Sequence, residues 1–382
     1  MKVTISVGGR WHAFHLAKQL QKRGYLDKIF TSHPRFKLKD SGLLPDKVDC
    51  LILKEILERP FYNMRYLNNA LEVPYHAANI FDRQVARRIK PCDIFVGWTA
   101  FSLYTLRKIR RLFPAKIILE HNATHLEAQR DILMEEEKRW GIKSDLPCPS
   151  FIEKELNEYK EADYIVVPST LVKQTFLDKG FSDKKIICVP YSVDIDTFKP
   201  IPQAHPAGRT FRIISVGISI RKGTHYLLQA VDELKIKDLE VWLVGRIYND
   251  IKPFLKKYSR SFRYLGRIAQ KELYKYYSQG SISVLFSLDD AFPFALLETM
   301  ACGLPVICSD KVGTKDVIKE GIDGFVVRTR DVKALKEKIL YLYENPHICQ
   351  EMGRRAQENV TGNFTWDNYG ERIVNTYLNI LK

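Results

Sequence analysis

Residues 290–310 read Asp-Ala-Phe-Pro-Phe-Ala-Leu-Leu-Glu-Thr-Met-Ala-Cys-Gly-Leu-Pro-Val-Ile-Cys-Ser-Asp, and the rest of the chain is interpreted outward from them. The apolar spacing after Pro293 predicts a short helix that ends at Cys302-Gly303, where glycine supplies the left-handed cap. Leu304-Pro305-Val306-Ile307-Cys308 is a continuous apolar run, as expected of a strand in a parallel sheet covered on both faces. Two acids, Asp290 and Glu298, bracket the turn and the start of the helix. The N–H groups of a first helical turn lack intrahelical partners and suit an anion, while carboxylates accept hydrogen bonds from hydroxyls. A ligand with both phosphate and sugar hydroxyls, a nucleotide sugar, fits that pairing. Glu298 lies among Leu296, Leu297, Met300 and Ala301, where a carboxylate is costly unless it is paired or hydrogen-bonded.

Outward from this stretch the chain alternates strands and helices. In the second half the pattern predicts strands at Arg212–Val216, Leu239–Val244, Phe262–Leu265, Ile282–Phe286, Val306–Cys308 and Gly324–Val327. A helix is expected at Tyr226–Leu234, and three more close the chain at Asp331–Glu344, Pro346–Glu358 and Trp366–Leu381. The first half opens with a strand ending at Val7, then Gly8-Gly9-Arg10, then a helix with Ala13, Phe14, Leu16, Ala17 and Leu20 on one face, stopped by Gly24. Further strands are expected at Asp93–Val96, Lys116–Leu119 and Tyr164–Val167, with an acidic helix from Phe151 to Ala162. Such alternation defines an α/β class with doubly wound parallel sheets. Residues 196–210 are Pro-rich and aperiodic, as suits a linker.

A chain of 382 residues is long enough for two domains. Its 7 Cys are scattered, with no Cys-x-x-Cys pair, which argues against a zinc site or a disulfide framework and for a reducing compartment. The sequons at Asn122 and Asn363 then read as chance. The N-terminus reads as a strand rather than a signal peptide, and no apolar run approaches a membrane span. The formal charge of +15 fits an anionic partner. No helix-turn-helix, zinc-finger or RNA-binding pattern accompanies it, so nucleic acid is not expected. Residues 1–50 hold ten Lys and Arg against four Asp and Glu, and residues 83–111 carry a second basic cluster, as an anionic membrane surface would favour.

Three further stretches carry chemistry. Gly217 to Gly223 makes a loop opening into a helix, and its Arg221 and Lys222 sit where cations would clamp a diphosphate. Gly8, Gly9, Arg10 and His12 follow the first strand, where open α/β sheets bind ligands and a missing side chain lets the backbone approach them. Glu120-His121-Asn122-Ala123-Thr124-His125 also follows a strand, and a His there serves either as a neutral donor to a hydroxyl or as a cation.

The 290–310 stretch resembles the acid-x7-acid signature of the retaining family-4 glycosyltransferases, whose usual form is Glu-Gly-Phe-Gly/Pro…Glu-Ala-Met-Ala-Cys-Gly-x-Pro-Val-Ile. Asp290 stands where the first Glu is usual, and Ala291 replaces a Gly. Ile218 stands where the family's loop has Arg. In 310–317 only Gly313 is kept, with Asp316 in place of Glu. The segment from Tyr191 to Pro200 resembles the one that closes the family's first domain. The resemblance covers residues 200–370 closely and the first half loosely.

The resemblance implies a GT-B fold: two Rossmann-like domains, 1–198 and 199–363, facing each other across a cleft, with a last helix at 364–382 crossing back to the first. It implies a retaining, metal-independent transfer of a hexose-type sugar from a UDP- or GDP-linked donor to a hydroxyl of a glycan or lipid-linked acceptor. The setting would be polysaccharide or glycolipid synthesis, in the cytoplasm or at the inner face of its membrane. His121, Arg221, Lys222 and Asp290 would be catalytic. Glu298 would hold the ribose hydroxyls, with Phe292, Pro293, Phe294, Ala295, Gly217, Gly245, Arg267 and Gly313 completing the donor site. Gly8, Gly9, Arg10 and His12 would form the acceptor or phosphate loop. No cofactor and no metal are expected, since there is no Asp-x-Asp motif. The alternatives are a nucleotide-sugar epimerase, a phosphorylase, or an inactive nucleotide-sugar-binding scaffold.

Overall fold

The computed structural model describes residues 1–61, 71–142, 148–202 and 210–382. Thirteen strands in these residues form two sheets. The first runs in the order β3-β2-β1-β4-β5-β6-β7 and the second β10-β9-β8-β11-β12-β13. Every pairing between named strands is parallel. In the first sheet β1 is Val3–Val7, β2 Leu26–Thr31, β3 Val48–Cys50, β4 Ile94–Trp98, β5 Lys116–Glu120, β6 Tyr164–Val167 and β7 Ile186–Cys188. In the second, β8 is Phe211–Ile218, β9 Leu239–Ile247, β10 Arg263–Gly266, β11 Ile282–Leu285, β12 Val306–Ser309 and β13 Gly324–Val327. In each sheet the strand order reverses beside the first strand, between β1 and β4 and between β8 and β11. That reversal opens a crevice at the carboxyl ends of the strands, where sheets of this kind bind ligands.

The helices that matter here are α1 (Ala13–Lys22), α2 (Leu53–Glu58), α3 (Val73–Arg88), α4 (Leu103–Leu112), α5 (Leu126–Trp140), α6 (Pro149–Glu161) and α7 (Thr170–Leu177) around the first sheet. Around the second lie α8 (Thr224–Leu234), α9 (Phe294–Ala301), α10 (Val332–Glu344), α11 (Pro346–Asn363) and α12 (Trp366–Leu381). The central strands β1, β4 and β12 are buried along their whole length, which fits their mostly apolar sequences. The acidic helix expected from Phe151 starts two residues earlier, with Pro149 at its first position. Helices α5 and α7 and strands β2, β3 and β7 are additions to the sequence reading.

The last helix, α12, opens with a capping box between Thr365 and Asn368 and lies on α1. There Lys22 pairs with Asp367 at 2.9 Å, and His15 stacks on Trp366 with ring centres 3.8 Å apart. Gly370 makes the approach feasible, since a Cβ on it would fall 2.2 Å from the Gln19 side chain. One buried cluster runs from β1 and β4 through Tyr191, Phe292 and Leu296 to Tyr369 and Tyr377 of α12, so the two sheets share a core. Of the linker read at 196–210, residues 203–209 lie outside the described residues.

Candidate active site

The crevice of the second sheet is a charge site. Gly217 adopts a φ of 94° near the end of β8, and the following turn carries Arg221 and Lys222 into α8. Gly223 fits only as glycine, because a Cβ there would lie 1.8 Å from the carbonyl oxygen of Phe286 after β11. This close contact sets the two cations against the acids that follow β11. Lys222 Nζ donates to Asp290, which also accepts from Ser287 Oγ at 3.4 Å. Arg221 donates to the backbone carbonyl of Asp289 at 2.7 Å, and its guanidinium lies 3.8 Å from the Asp289 carboxylate. Burial pulls the Lys222 ammonium below its usual range, and the charge of Asp290 opposes that shift.

Glu298 of α9 is buried, at 3% exposure, which rules out a solvated surface position. It accepts from Gln270 Nε2 at 2.7 Å and from the Tyr277 hydroxyl at 3.0 Å. Burial raises its carboxyl to about 7, and those two hydrogen bonds hold it from going higher. Pro293 is the N-cap of α9, and the half-buried Phe294 and Ala295 form its first turn. The rings of Phe292 and Phe294 pack on Tyr191 of the first domain, at 5.6 and 5.5 Å, so these side chains build the domain junction. Gly245 (φ 129°) lies at the carboxyl end of β9 against Gly217, and Arg267 is exposed just after β10. Gly313 differs from the sequence reading. Its N–H donates to the Asp290 carbonyl at 2.8 Å, and a Cβ would collide with the Ala291 oxygen at 1.8 Å. It is a packing glycine, with no amide free for a phosphate.

The crevice of the first sheet is different in kind. Gly9 is tied by Thr31 Oγ1 donating to its carbonyl at 2.7 Å, and Arg10 is exposed. Gly8 is not an open approach to a ligand, because the Phe101 ring occupies the space of its missing side chain, 2.2 Å from where a Cβ would stand. His12 is buried, its Nε2 3.4 Å from Glu120 and its ring packed on Tyr191 and Trp98. His121 is fully engaged: Nε2 donates to the Thr124 carbonyl at 3.2 Å, and Nδ1 accepts from Thr99 Oγ1 at 3.1 Å. Burial lowers its pKa to about 3, so it is neutral at physiological pH. Of the two forms considered for His121, burial favours the neutral one, and its N–H is given to the backbone. His125 caps α5 by accepting from the Glu127 N–H at 3.3 Å, with its pKa lowered to about 4 by burial.

Residues 210–345 match the family described as glycosyl transferases group 1. The match takes in the whole second sheet, from β8 to β13, and helix α10. Among curated proteins it is 24% identical to trehalose synthase of Pyrococcus horikoshii over 249 residues, 61% of this chain and 55% of that protein. It is 25% identical to a GDP-mannose-dependent phosphatidylinositol monomannoside mannosyltransferase of Corynebacterium glutamicum over 236 residues, 56% of this chain and 62% of that one. The chain thus spans little more than half the length of these curated relatives. Sucrose-phosphate synthase of Thermosynechococcus elongatus superposes with a TM-score of 0.73 at 18% identity, covering 100% of this chain and 99% of that one. Anabaena HepE, solved with UDP and glucose, gives 0.70 at 14%, covering 98% and 99%. These superpositions show a GT-B fold.

Sequence reasoning passed over Asp289. Its carboxylate accepts from Thr124 Oγ1 and Gln129 Nε2 of the first domain, both at 2.7 Å, while its carbonyl holds Arg221. It thereby ties the loop after β5 to the cation loop. The signal was the acid doublet Asp289-Asp290, of which only the second position belongs to the motif. Further ties are Ser169 Oγ to the Ala291 carbonyl at 2.9 Å and Thr170 to Asp316, which caps α7 from across the cleft. Arg330 (φ 68°) pairs with the buried Glu136 and with Glu135 of α5. Among the described residues no group of three or more His, Cys, Asp or Glu side chains is arranged to hold a metal ion, and no helix is long and apolar enough to cross a membrane.

Proposed function

We propose that this protein is a retaining glycosyltransferase of family 4, moving a hexose-type sugar from a UDP- or GDP-sugar to a hydroxyl of a glycan or lipid-linked acceptor. The observation that carries this reading is the convergence of Arg221, Lys222, Asp290 and Glu298 on the crevice of the second sheet. When the bond from the anomeric carbon to the phosphate breaks, negative charge gathers on the departing diphosphate. Lys222, Arg221 and the first-turn amides of α9 are fixed charges and dipoles that stabilise that charge more in the transition state than in the ground state. Asp290 holds hydroxyls of the transferred sugar and Glu298 those of the ribose.

Retaining hydrolases set a second carboxylate across the anomeric carbon as nucleophile. No residue of this chain is assigned that role, and the family resemblance implies instead an oxocarbenium-like ion pair. The acceptor oxygen bonds to the anomeric carbon from the face the phosphate leaves, and its proton passes to the departing phosphate. The cations and helix end do the work for which other transferases use a divalent ion, so chelation leaves activity intact. Exposed Phe36, Leu44, Ile56 and Leu57 on the basic first domain suit an acceptor presented at an anionic membrane face, in polysaccharide or glycolipid synthesis.

The paired state of Lys222 and Asp290 and the engaged ring of His121 favour one second reading, a scaffold that binds a nucleotide sugar without turning it over. Metal-free calorimetry with UDP and GDP on wild type and Glu298→Ala tests the site. Micromolar binding of one nucleotide, with a loss of roughly 1.5–3 kcal/mol in the variant, is expected for a charged hydrogen-bonding partner. No binding of either nucleotide by folded protein sinks the reading, and binding without turnover leaves the scaffold.

A further inference from the structure

At the crevice of the first sheet, two neighbouring strand ends each carry a residue in the left-handed region. Trp11, after β1, has φ of 34°, and Ala100, after β4, has φ of 74°. A bulky L-residue adopts such a conformation only where its surroundings impose it, and such positions cluster at ligand sites. Ala100 is imposed by Glu158 of α6, a buried acid that accepts the backbone N–H groups of Ala100, Ser102 (2.7 Å) and Leu103 (3.0 Å). That clamp drives the Phe101 ring into the space beside Gly8, where it is only 8% exposed. Phe101 is then braced by Phe81 at 6.3 Å on one edge and by Lys54 Nζ 5.5 Å over its ring.

Trp11 rests on this braced ring, with centroids 5.6 Å apart and planes at 49°. Yet its indole remains 48% exposed. A left-handed backbone thus holds about half of the indole open to solvent. Its position is the ligand crevice of a doubly wound sheet. His12, the next residue, packs on Tyr191 at 4.1 Å, and Tyr191 stacks on Phe294 at the start of α9 at 5.5 Å. Trp11 therefore stands on the first-domain wall, and the rings of its neighbour His12 and of Tyr191 lead to Phe294 at the start of α9, the helix that carries Glu298.

A flat, rigid, half-exposed indole with an N–H on its edge matches a pyranose ring. The C–H face of the sugar packs on the aromatic face, and its hydroxyls keep their polar partners at the rim. We infer that Trp11, braced by Phe101, is the platform on which a pyranose ring of the acceptor stacks while its hydroxyl approaches the donor. This rests on the transferase reading above and adds to it the acceptor class, a carbohydrate ring, and the residue that selects it. A nucleobase would also stack on an indole, but the paired cations that match its phosphates lie at the other crevice.

The test uses the full chain. Calorimetry with UDP and GDP comes first, on wild type, Trp11→Phe and Trp11→Leu. The protein has 5 Trp, so indole ¹⁵N spectra are simple, and the Trp11 signal is assigned by its absence in Trp11→Phe. Nucleotide-loaded wild type is then titrated with a set of methyl glycosides. The Trp11 signal is expected to shift with at least one of them. Transfer to that glycoside should then show KM raised about tenfold in Trp11→Leu (about 1.4 kcal/mol), largely restored in Trp11→Phe. Nucleotide affinity and hydrolysis of the donor by water should be unchanged in both variants. A Trp11 indole unmoved by every glycoside in the set, or an unchanged acceptor KM in Trp11→Leu, overturns the platform while leaving the transferase reading standing. Weakened nucleotide binding in Trp11→Leu also overturns it, because the ring then serves the donor side. Failure of wild type to bind either nucleotide takes down both readings at the calorimetry step, before any glycoside is added.

Discussion

The two crevices of this protein are built on the same strand order and filled by opposite chemistry. At the β8–β11 crevice, cations meet acids: Lys222 on Asp290, Arg221 on Asp289. At the β1–β4 crevice the rings of Trp11 and Phe101 meet, and the two histidines nearby, His12 and His121, are buried and engaged with neutral or acceptor groups. One crevice concentrates fixed charge for a ligand that carries or develops charge. The other offers shape and surface. Architecture therefore supplied two equivalent places for ligands, and the loop side chains decided what each place takes.

The sharpest way to break this contrast is to remove charge from the second crevice. Lys222→Ala should lower kcat by about 10²–10³, as loss of one oxyanion-stabilising donor does elsewhere, with nucleotide binding measured alongside. A kcat close to wild type would mean that the charge site is not where the leaving group departs. Next in size is the titration of Glu298. Its carboxyl is raised to about 7 by burial, so the fraction able to accept two diol hydrogen bonds as carboxylate grows between pH 6 and 8. Nucleotide affinity in wild type should rise over that window by about tenfold, one pKa unit being worth 1.36 kcal/mol. Glu298→Gln supplies the baseline for the phosphate's own ionisation, and equal slopes in the two proteins would refute the role given to Glu298.

The smallest effect sharpens the other side. His121 has its pKa lowered to about 3 in the folded chain against a usual 6.5, so between those values the unfolded chain binds the extra proton. The stability linked to its neutral ring is complete above 6.5 and is lost as pH falls towards 3. His121→Gln should cost about 1–3 kcal/mol at pH 7, the range for a broken buried hydrogen bond. The gap in urea unfolding free energy between wild type and variant should narrow as pH falls to 4.5. A constant gap would show that the ring is not held neutral. The same ring should leave no ionisation in the pH profile of kcat/KM.

Much of this was legible in the chain. Strands β6 and β13 and helix α12 begin and end where periodicity placed them, because unbroken apolar runs and cap residues are local properties. The pairing need of Glu298 was legible too, since a carboxylate within an apolar helix face requires a partner wherever it folds. Helix α5 was not read. Its run Leu126–Trp140 is rich in charge, and Glu136 within it is buried against residues of the other domain. Gly8 and Gly313 were read as open glycines, and both are filled by groups from distant segments, Phe101 and Ala291.

The sequence by itself determined the alternation of elements, the acid-x7-acid stretch and the cations of the second half, because each depends on residues a few positions apart. Tertiary structure alone decided that Asp289 bridges the domains, that His121 spends its ring nitrogens on its own loop and on Thr99 after β4, and that Trp11 is held exposed on Phe101. The physical reason is common to all three. A side chain's charge state and availability depend on which groups burial brings within about 3 Å of it, and those groups come from strands brought together only when the sheets close.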